Sequence, residues 1–423
     1  MPTAPLRFES FFRLIWRWHF WVGLIASPTL LVVSITGGLF VFKDDLVDWD
    51  RSHLVFVSQL PNGKRPLDEQ LAEVKRTYPD ATVGLITLPA GNNRASMVQI
   101  KSPGSPLRIA YVDPHSCDVL GDAPLAHSPF WAGVLSLHRN LFAGYTGRIL
   151  VELTTAWCGV LVVSGLYLWI PKKWRTAGVW WPRLRAHRYT VIRDLHTVPS
   201  VYLAPIAIIL CMTGLFFSPI WSEVYSRTTG PAGSYPIAFI TAPPATATPI
   251  DRSPIPVSAA MNAAYERFPN HRLMVIPPRK PTDPYAVTIN GMYGSTAVGF
   301  LAMDRTTGEI VADNRYDDLP FLGKVRLWIY PLHVGTVGGM TTKVIAALTC
   351  LMLAVAAITG IAMWLIRRRK GDWGFPHRTE TTRIPKWGGV LILATAIVLP
   401  TVAISLGLVL LGDWLYGKLT RTG

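Results

Sequence analysis

Four histidines carry the chemistry this sequence offers. His19 and His196 stand at the start of long apolar runs, and His138 and His333 each follow a leucine about ten residues ahead of another. Imidazole ligates haem iron axially, and two imidazoles on one iron give a low-spin, electron-transferring centre. It also ligates zinc or copper, although those sites usually recruit Cys, Asp or Glu as well. Ionisable groups within membrane helices are costly, and their default reading is functional. One interfacial histidine is readily explained as a headgroup or backbone partner; four at matched positions are not.

The matching is extensive. Counted from His19 and from His196, a proline falls nine residues later (Pro28, Pro205), a threonine seventeen later (Thr36, Thr213) and a glycine eighteen later (Gly37, Gly214). Counted from His138 and His333, a basic residue falls ten later (Arg148, Lys343). A hydroxyl–glycine pair follows at twenty-six and twenty-seven (Ser164-Gly165, Thr359-Gly360), and a tryptophan at thirty-one (Trp169, Trp364). Two agreeing registers imply a duplication, in which each half is helix, outer domain, helix. Halves that run the same way are parallel repeats about a pseudo-twofold axis along the membrane normal. His19 then faces His196 at one depth and His138 faces His333 at another, and each pair can clamp a flat ligand on the axis.

Haem b, one per pair, fits this donor set, because no C-x-x-C-H is present for covalent attachment. Arg148 and Lys343 are possible propionate partners, or snorkel to headgroups. The Thr-Gly and Ser-Gly pairs serve close helix packing or the approach of a macrocycle. Glu152 is the only acid deep in a histidine-bearing helix. No catalytic residue is identified.

The elements that must position these rings follow from composition. Of 423 residues, 50% are hydrophobic and 16% charged, and mean hydropathy is +0.30. Sixteen tryptophans, many flanking apolar runs, read as interface anchors. The net charge of +15 sits in short clusters beside those runs, a loop bias that excludes a nucleic-acid partner. Cys158, Cys211 and Cys350 lie inside apolar runs as packing residues, and Cys117 stands apart.

Five runs reach the length needed to cross a bilayer: Trp18–Phe42, Arg148–Ile170, Leu195–Ile220, Thr342–Ile366 and Trp387–Leu411. The first follows Arg7, Arg13 and Arg17 without a small-residue cleavage site and reads as a retained signal anchor. Basic bias puts the N-terminus, the loop 171–194 and the stretch 367–386 in the cytoplasm. The expected layout is an N-terminus with its span (1–42), an outer domain (43–137) and a second span (138–170). A basic loop (171–194), a third span (195–220), a second outer domain (221–332) and a fourth span (333–366) follow. The chain ends with a basic loop (367–386), an extra fifth span (387–411) and an outer tail (412–423). The fold class is thus a membrane α-helical protein with small α+β domains.

Each outer segment carries a helical pattern and alternating strands. The first has a helix from Leu67 to Tyr78-Pro79, strands at Ser96–Lys101 and Leu107–Val112, and the turn Asp113-Pro114-His115. The second has a helix at Val257–Phe268, strands at Tyr285–Ile289 and Ala297–Met303, and the turn Asp304-Arg305-Thr306-Thr307-Gly308. Thr241–Pro256 reads as an extended linker. There is no G-x-G-x-x-G after a strand, no G-x-x-x-x-G-K-[ST] and no H-E-x-x-H. Electrons must therefore come from a separate cytoplasmic reductase, reduced flavin or a membrane quinol.

Several of these features together resemble the PepSY-associated transmembrane proteins, often called iron-regulated membrane proteins. They are Trp16-Arg17-Trp18-His19 leading to Thr36-Gly37-Gly38-Leu39, the helix ending Tyr78-Pro79, and Tyr111-Val112-Asp113-Pro114 before Val119-Leu120-Gly121. Leu137-His138 with Leu332-His333 completes the set, and the resemblance covers roughly residues 10–370. The chain departs from the usual Thr-Gly turn at His115-Ser116-Cys117 but keeps Thr307-Gly308-Glu309. The resemblance implies PepSY-like outer domains, residence in a bacterial inner membrane, and reduction of a ferric siderophore on the periplasmic side. Tyr145, Trp131 and Trp328 could line such a site or anchor the interface. Because PepSY modules resemble peptidase prodomains, a rival expectation is an anchored module binding a periplasmic peptidase or envelope partner. A siderophore or haem permease has little room in two spans per half.

Overall fold

The computed structural model describes residues 7–59, 63–126, 128–171, 173–230, 253–268, 271–278, 283–289, 299–368, 372–376 and 384–419. Most of the linker expected at Thr241–Pro256, the first residues of the strand at Ala297–Met303, much of the basic stretch 367–386 and the end of the tail lie outside the described residues. The chain divides into two compact units: Met1–Phe42 with Ala132–Thr228 and Leu332–Gly423, and Lys43–Trp131 with Thr229–Pro331.

The first unit is helical. Helices α1 (Arg7–Phe40), α6 (Gly144–Trp169), α7 (Arg188–Leu215) and α11 (Gly339–Arg367) are the four, among the described residues, long and apolar enough to cross a membrane. Both α1 and α7 pack against α6 and α11, so the four close into a bundle. Two shorter helices bear on the site, α5 (Pro129–Asn140) and α10 (Phe321–His333). His138 lies in the last turn of α5 and His333 is the last residue of α10, so within the segments expected at 138–170 and 333–366 both histidines precede α6 and α11. After α5 the chain reverses through Leu141 and Phe142, both left-handed (φ 53° and 57°), a conformation disfavoured for side chains with a Cβ. A Cβ on Gly147 would lie 1.7 Å from the Asn140 carbonyl oxygen, so only glycine lets α6 start this close.

Glu152 has a structural task. It is 1% exposed and its carboxylate accepts from the backbone N–H groups of Ile220 (2.8 Å) and Trp221 (2.9 Å), capping helix α8 (Pro219–Thr229). The Trp221 indole N–H donates to the Val398 carbonyl at 2.8 Å. That carbonyl ends α12 (Lys386–Val398), which meets α13 (Pro400–Leu419) at a bend of 117°. The run expected as a fifth span is two helices meeting at this bend: Pro400 removes a helical N–H and pushes Leu399 out of the helical region.

The second unit is an eight-stranded antiparallel sheet in the order β4-β3-β2-β1-β5-β6-β7-β8. Its strands are β1 (Thr82–Leu88), β2 (Ser96–Lys101), β3 (Arg108–Val112), β4 (Val119–Pro124), β5 (Leu273–Ile276), β6 (Tyr285–Ile289), β7 (Gly299–Met303) and β8 (Ile310–Arg315). Helices α2 (Lys43–Asp50) and α3 (Ser52–Val55) precede α4 (Leu67–Thr77), and α9 (Val257–Arg267) opens the second strand set. The two outer segments thus do not form separate sheets. Strands β1 and β5 pair through Ile86–Val275, Thr87–Met274 and Leu88–Leu273, joining four strands from each segment. Alternate apolar residues of both sets, including Ile86, Val98, Val112, Val275, Val287 and Leu301, share one core with Val74 of α4 and Met261 of α9. The Asp68 carboxylate of α4 caps α9 by accepting from Val257 and Ser258 N–H.

The two β-turns flagged in the sequence have the same build. In each, an aspartate side chain accepts from the N–H two residues on (Asp113 from His115, Asp304 from Thr306, both 2.8 Å), and a left-handed residue follows (Cys117, φ 69°; Gly308, φ 74°). The Thr306 hydroxyl, with the N–H groups of Thr307 and Thr306, holds the Asp304 carboxyl at about 2.

Candidate functional site: two facing histidine pairs

Each histidine is held by its own half of the chain and faces its counterpart from the other. His19 and His196 have ring centres 6.4 Å apart with planes at 82°; His138 and His333 are 6.3 Å apart at 49°. Seventeen residues separate His19 from Thr36 on α1, and His196 from Thr213 on α7. At about 1.5 Å of rise per residue the two pairs lie about 25 Å apart along the bundle, close to the roughly 30 Å apolar thickness of a bilayer.

The hydroxyl–glycine pairs form the seats. The Nδ1 atom of His138 lies 2.9 Å from the Val33 carbonyl and 3.3 Å from Thr36 Oγ1. His196 Nδ1 lies 3.0 Å from the Ala356 carbonyl and 3.1 Å from Thr359 Oγ1. His333 Nδ1 lies 3.1 Å from Thr213 Oγ1, with the Leu210 carbonyl also bonded to the ring, and His19 Nδ1 lies 2.9 Å from Ser164 Oγ. The four hydroxyls are close to carbonyls of their own helices: Thr36 to Val32 (2.7 Å), Thr213 to Ile209 (2.6 Å), Thr359 to Val355 (2.6 Å) and Ser164 to Leu161 (3.1 Å).

For His138, His196 and His333 this geometry fixes a tautomer. A carbonyl oxygen only accepts, and a hydroxyl whose proton is spent on a carbonyl presents a lone pair, so Nδ1 carries the ring proton. The Nε2 lone pair is then left for a ligand. Metal-binding histidines are commonly arranged this way, with the far N–H anchored to a carbonyl.

The glycines make room for the rings. A Cβ on Gly37 would sit 2.8 Å from His138 Cε1, on Gly214 3.1 Å from His333 Cε1, on Gly165 3.3 Å from His19 Cε1 and on Gly360 3.6 Å from His196 Cε1. The sequence assigned these small residues to helix packing or to a macrocycle; the atoms they meet are imidazole atoms. The recurrence was legible, whereas the role of the hydroxyls was missed because it depends on which ring faces which helix.

Metal–imidazole bonds of about 2.0–2.1 Å set two rings that share one ion axially about 6 Å apart between centres. Both pairs meet that spacing. Among the described residues no three His, Cys, Asp or Glu side chains converge on a point, so the donors come as bare imidazole pairs. Such a set suits the axial positions of haem iron better than zinc, which takes three or four protein ligands.

The remaining candidates are placed less directly. Arg148 donates to the Phe217 carbonyl (3.3 Å), and the Phe217 ring lies 5.4 Å from that of His333. Lys343 is the fifth residue of α11, as Arg148 is of α6. Trp328 donates to the Tyr316 hydroxyl (3.0 Å), Trp131 is buried and Tyr145 is exposed. Cys158, Cys211 and Cys350 are free thiols inside the helical unit.

A family model described as the PepSY-associated TM region matches residues 16–367, a span that takes in all four histidines. No curated protein matches the chain.

Proposed function

The chain belongs to the family of the PepSY-associated TM region, and on that premise we propose that it is a b-type haem protein that passes electrons across the inner membrane to a ferric siderophore. The single observation carrying this reading is the pair of imidazole–imidazole separations, 6.4 and 6.3 Å, at two depths of one bundle. Haem b bound by each pair supplies one-electron storage there.

The chain's own residues prepare both places. Thr36, Thr213, Thr359 and Ser164 orient the rings, and the glycines beside them let the rings enter the bundle. Arg148 and Lys343, each the fifth residue of its helix, would be the propionate partners of a haem held by His138 and His333. The matched seats in the two halves fit a parallel pseudo-twofold repeat. Basic bias sets the His19 end in the cytoplasm, where a reductase, reduced flavin or quinol is the donor, and the sheet unit in the periplasm. A ferric siderophore reduced there by one electron releases ferrous iron, since the chelator binds iron(II) far more weakly.

The test uses purified full-length protein, reduced with dithionite and freed of excess reductant. Added ferric siderophore should bleach the reduced α-band while a ferrous chelator colours in proportion. A reduced band that persists, with no ferrous complex, contradicts siderophore reduction. Absence of any haem band contradicts the haem reading and favours an anchored module that binds a periplasmic peptidase or envelope partner.

A further inference from the structure

Three of the four rings are anchored to a main-chain carbonyl: His138 to Val33, His196 to Ala356 and His333 to Leu210. His19 is not. Among the described residues the Ser164 hydroxyl is its only hydrogen-bond partner, at 2.9 Å. The difference matters because a carbonyl can only accept, whereas a hydroxyl can accept or donate. With its proton on the Leu161 carbonyl (3.1 Å) Ser164 accepts from Nδ1–H and leaves Nε2 free. With its proton turned to Nδ1 it moves the ring proton to Nε2, which then cannot ligate. Serine lacks the γ-methyl that restricts χ1 of the threonines at the other three seats, so this rotor is the least constrained of the four.

We propose that Ser164 is the positioning residue that sets the tautomer of His19 and thereby tunes the His19–His196 centre. This rests on the reading of that pair as haem ligands. An anchored ring N–H raises the basicity of the ligating nitrogen, and stronger donation favours the ferric state. A hydroxyl is a weaker acceptor than the carbonyls behind the other rings, so His19 is the weakest donor and the most easily altered.

The experiment compares Ser164→Ala, Ser164→Thr and Thr359→Ala in full-length protein by redox titration and by ¹⁵N NMR of labelled histidines before haem loading. Ser164→Ala should raise the midpoint potential of one of two centres, or release about half the haem, and should move one ring toward the Nε2–H tautomer in the unloaded protein. Thr359→Ala should do less, because the Ala356 carbonyl still holds His196, and Ser164→Thr should restore the wild-type potential. Two haems in the wild type with equal shifts in Ser164→Ala and Thr359→Ala would overturn the role of Ser164 and leave the haem reading standing. A wild type without haem overturns both.

Discussion

A histidine whose two ring nitrogens both face carbonyl oxygens is satisfied only as a cation, and His115 is in that position. Its Nδ1 lies 2.7 Å from the Gly63 carbonyl and its Nε2 2.8 Å from the Asn92 carbonyl, in a ring 7% exposed. The Asn92 and Gly63 carbonyls push its pKa up, with Asp113 adding to the effect and Lys64 and burial opposing it. A pKa raised on folding contributes stability that is complete below the unfolded value of about 6.5 and is lost as pH climbs through the folded one. Hydrogen bonds to a charged group contribute about 1.5–3 kcal/mol. His115→Gln should therefore lower the thermal midpoint most near pH 6 and progressively less toward pH 9; a pH-independent gap would contradict the bridging cation. The glycines give a graded series at the same scale. Gly37→Ala places a methyl at 2.8 Å from His138 and should cost about half the bound haem, whereas Gly360→Ala at 3.6 Å from His196 should retain it, both read from the reduced haem band. The four histidines and their glycines could be read from the sequence because they recur at fixed spacing. The carbonyl clamp on His115 could not, since Gly63 and Asn92 reach it only through tertiary contacts.

Hydropathy located α1, α6, α7 and α11 as spans, since twenty or more apolar residues leave few alternatives in a lipid environment. It did not reveal that α5 and α10 end at the second histidine pair before the spans begin. Composition stays apolar through Leu141-Phe142-Ala143, and the break is made by backbone conformation. The cluster Gly335, Gly338 and Gly339 was the available signal in the second half. Gly147→Ala should test the joint: a Cβ 1.7 Å from the Asn140 oxygen forces α5 and α6 apart and should destabilise by at least about 1–3 kcal/mol in thermal unfolding. The broken pair α12–α13 makes a topological prediction. Val398 meets Trp221, and Ser405 already meets Trp157, more than a turn further along α6 toward the end that carries Tyr167 beside Trp387. From these contacts the pair is expected to turn back toward the side it came from. A reporter inserted after Leu419 should map to the same side of the membrane as one in the loop at residues 173–187; opposite sides would restore a fifth crossing.

At the scale of the molecule, the two halves meet in two ways that sequence spacing cannot fix. Strand β1 pairs with β5 although nearly two hundred residues separate them, and each histidine is anchored by its own half yet faces the other. Symmetry in the sequence indicated which rings share a depth; only packing brings their centres to 6.4 and 6.3 Å. The extra pair α12–α13, which has no counterpart in the first half, docks on α6 and α8 through Trp157 and Trp221. The most direct measurement is therefore the haem content of the purified protein with the reduced-minus-oxidised spectrum of wild type, His19→Ala and His138→Ala. Two haems per chain in the wild type and about one in each variant are predicted. No haem in the wild type, or a loss of all or none in either variant, would contradict two independent bis-histidine centres.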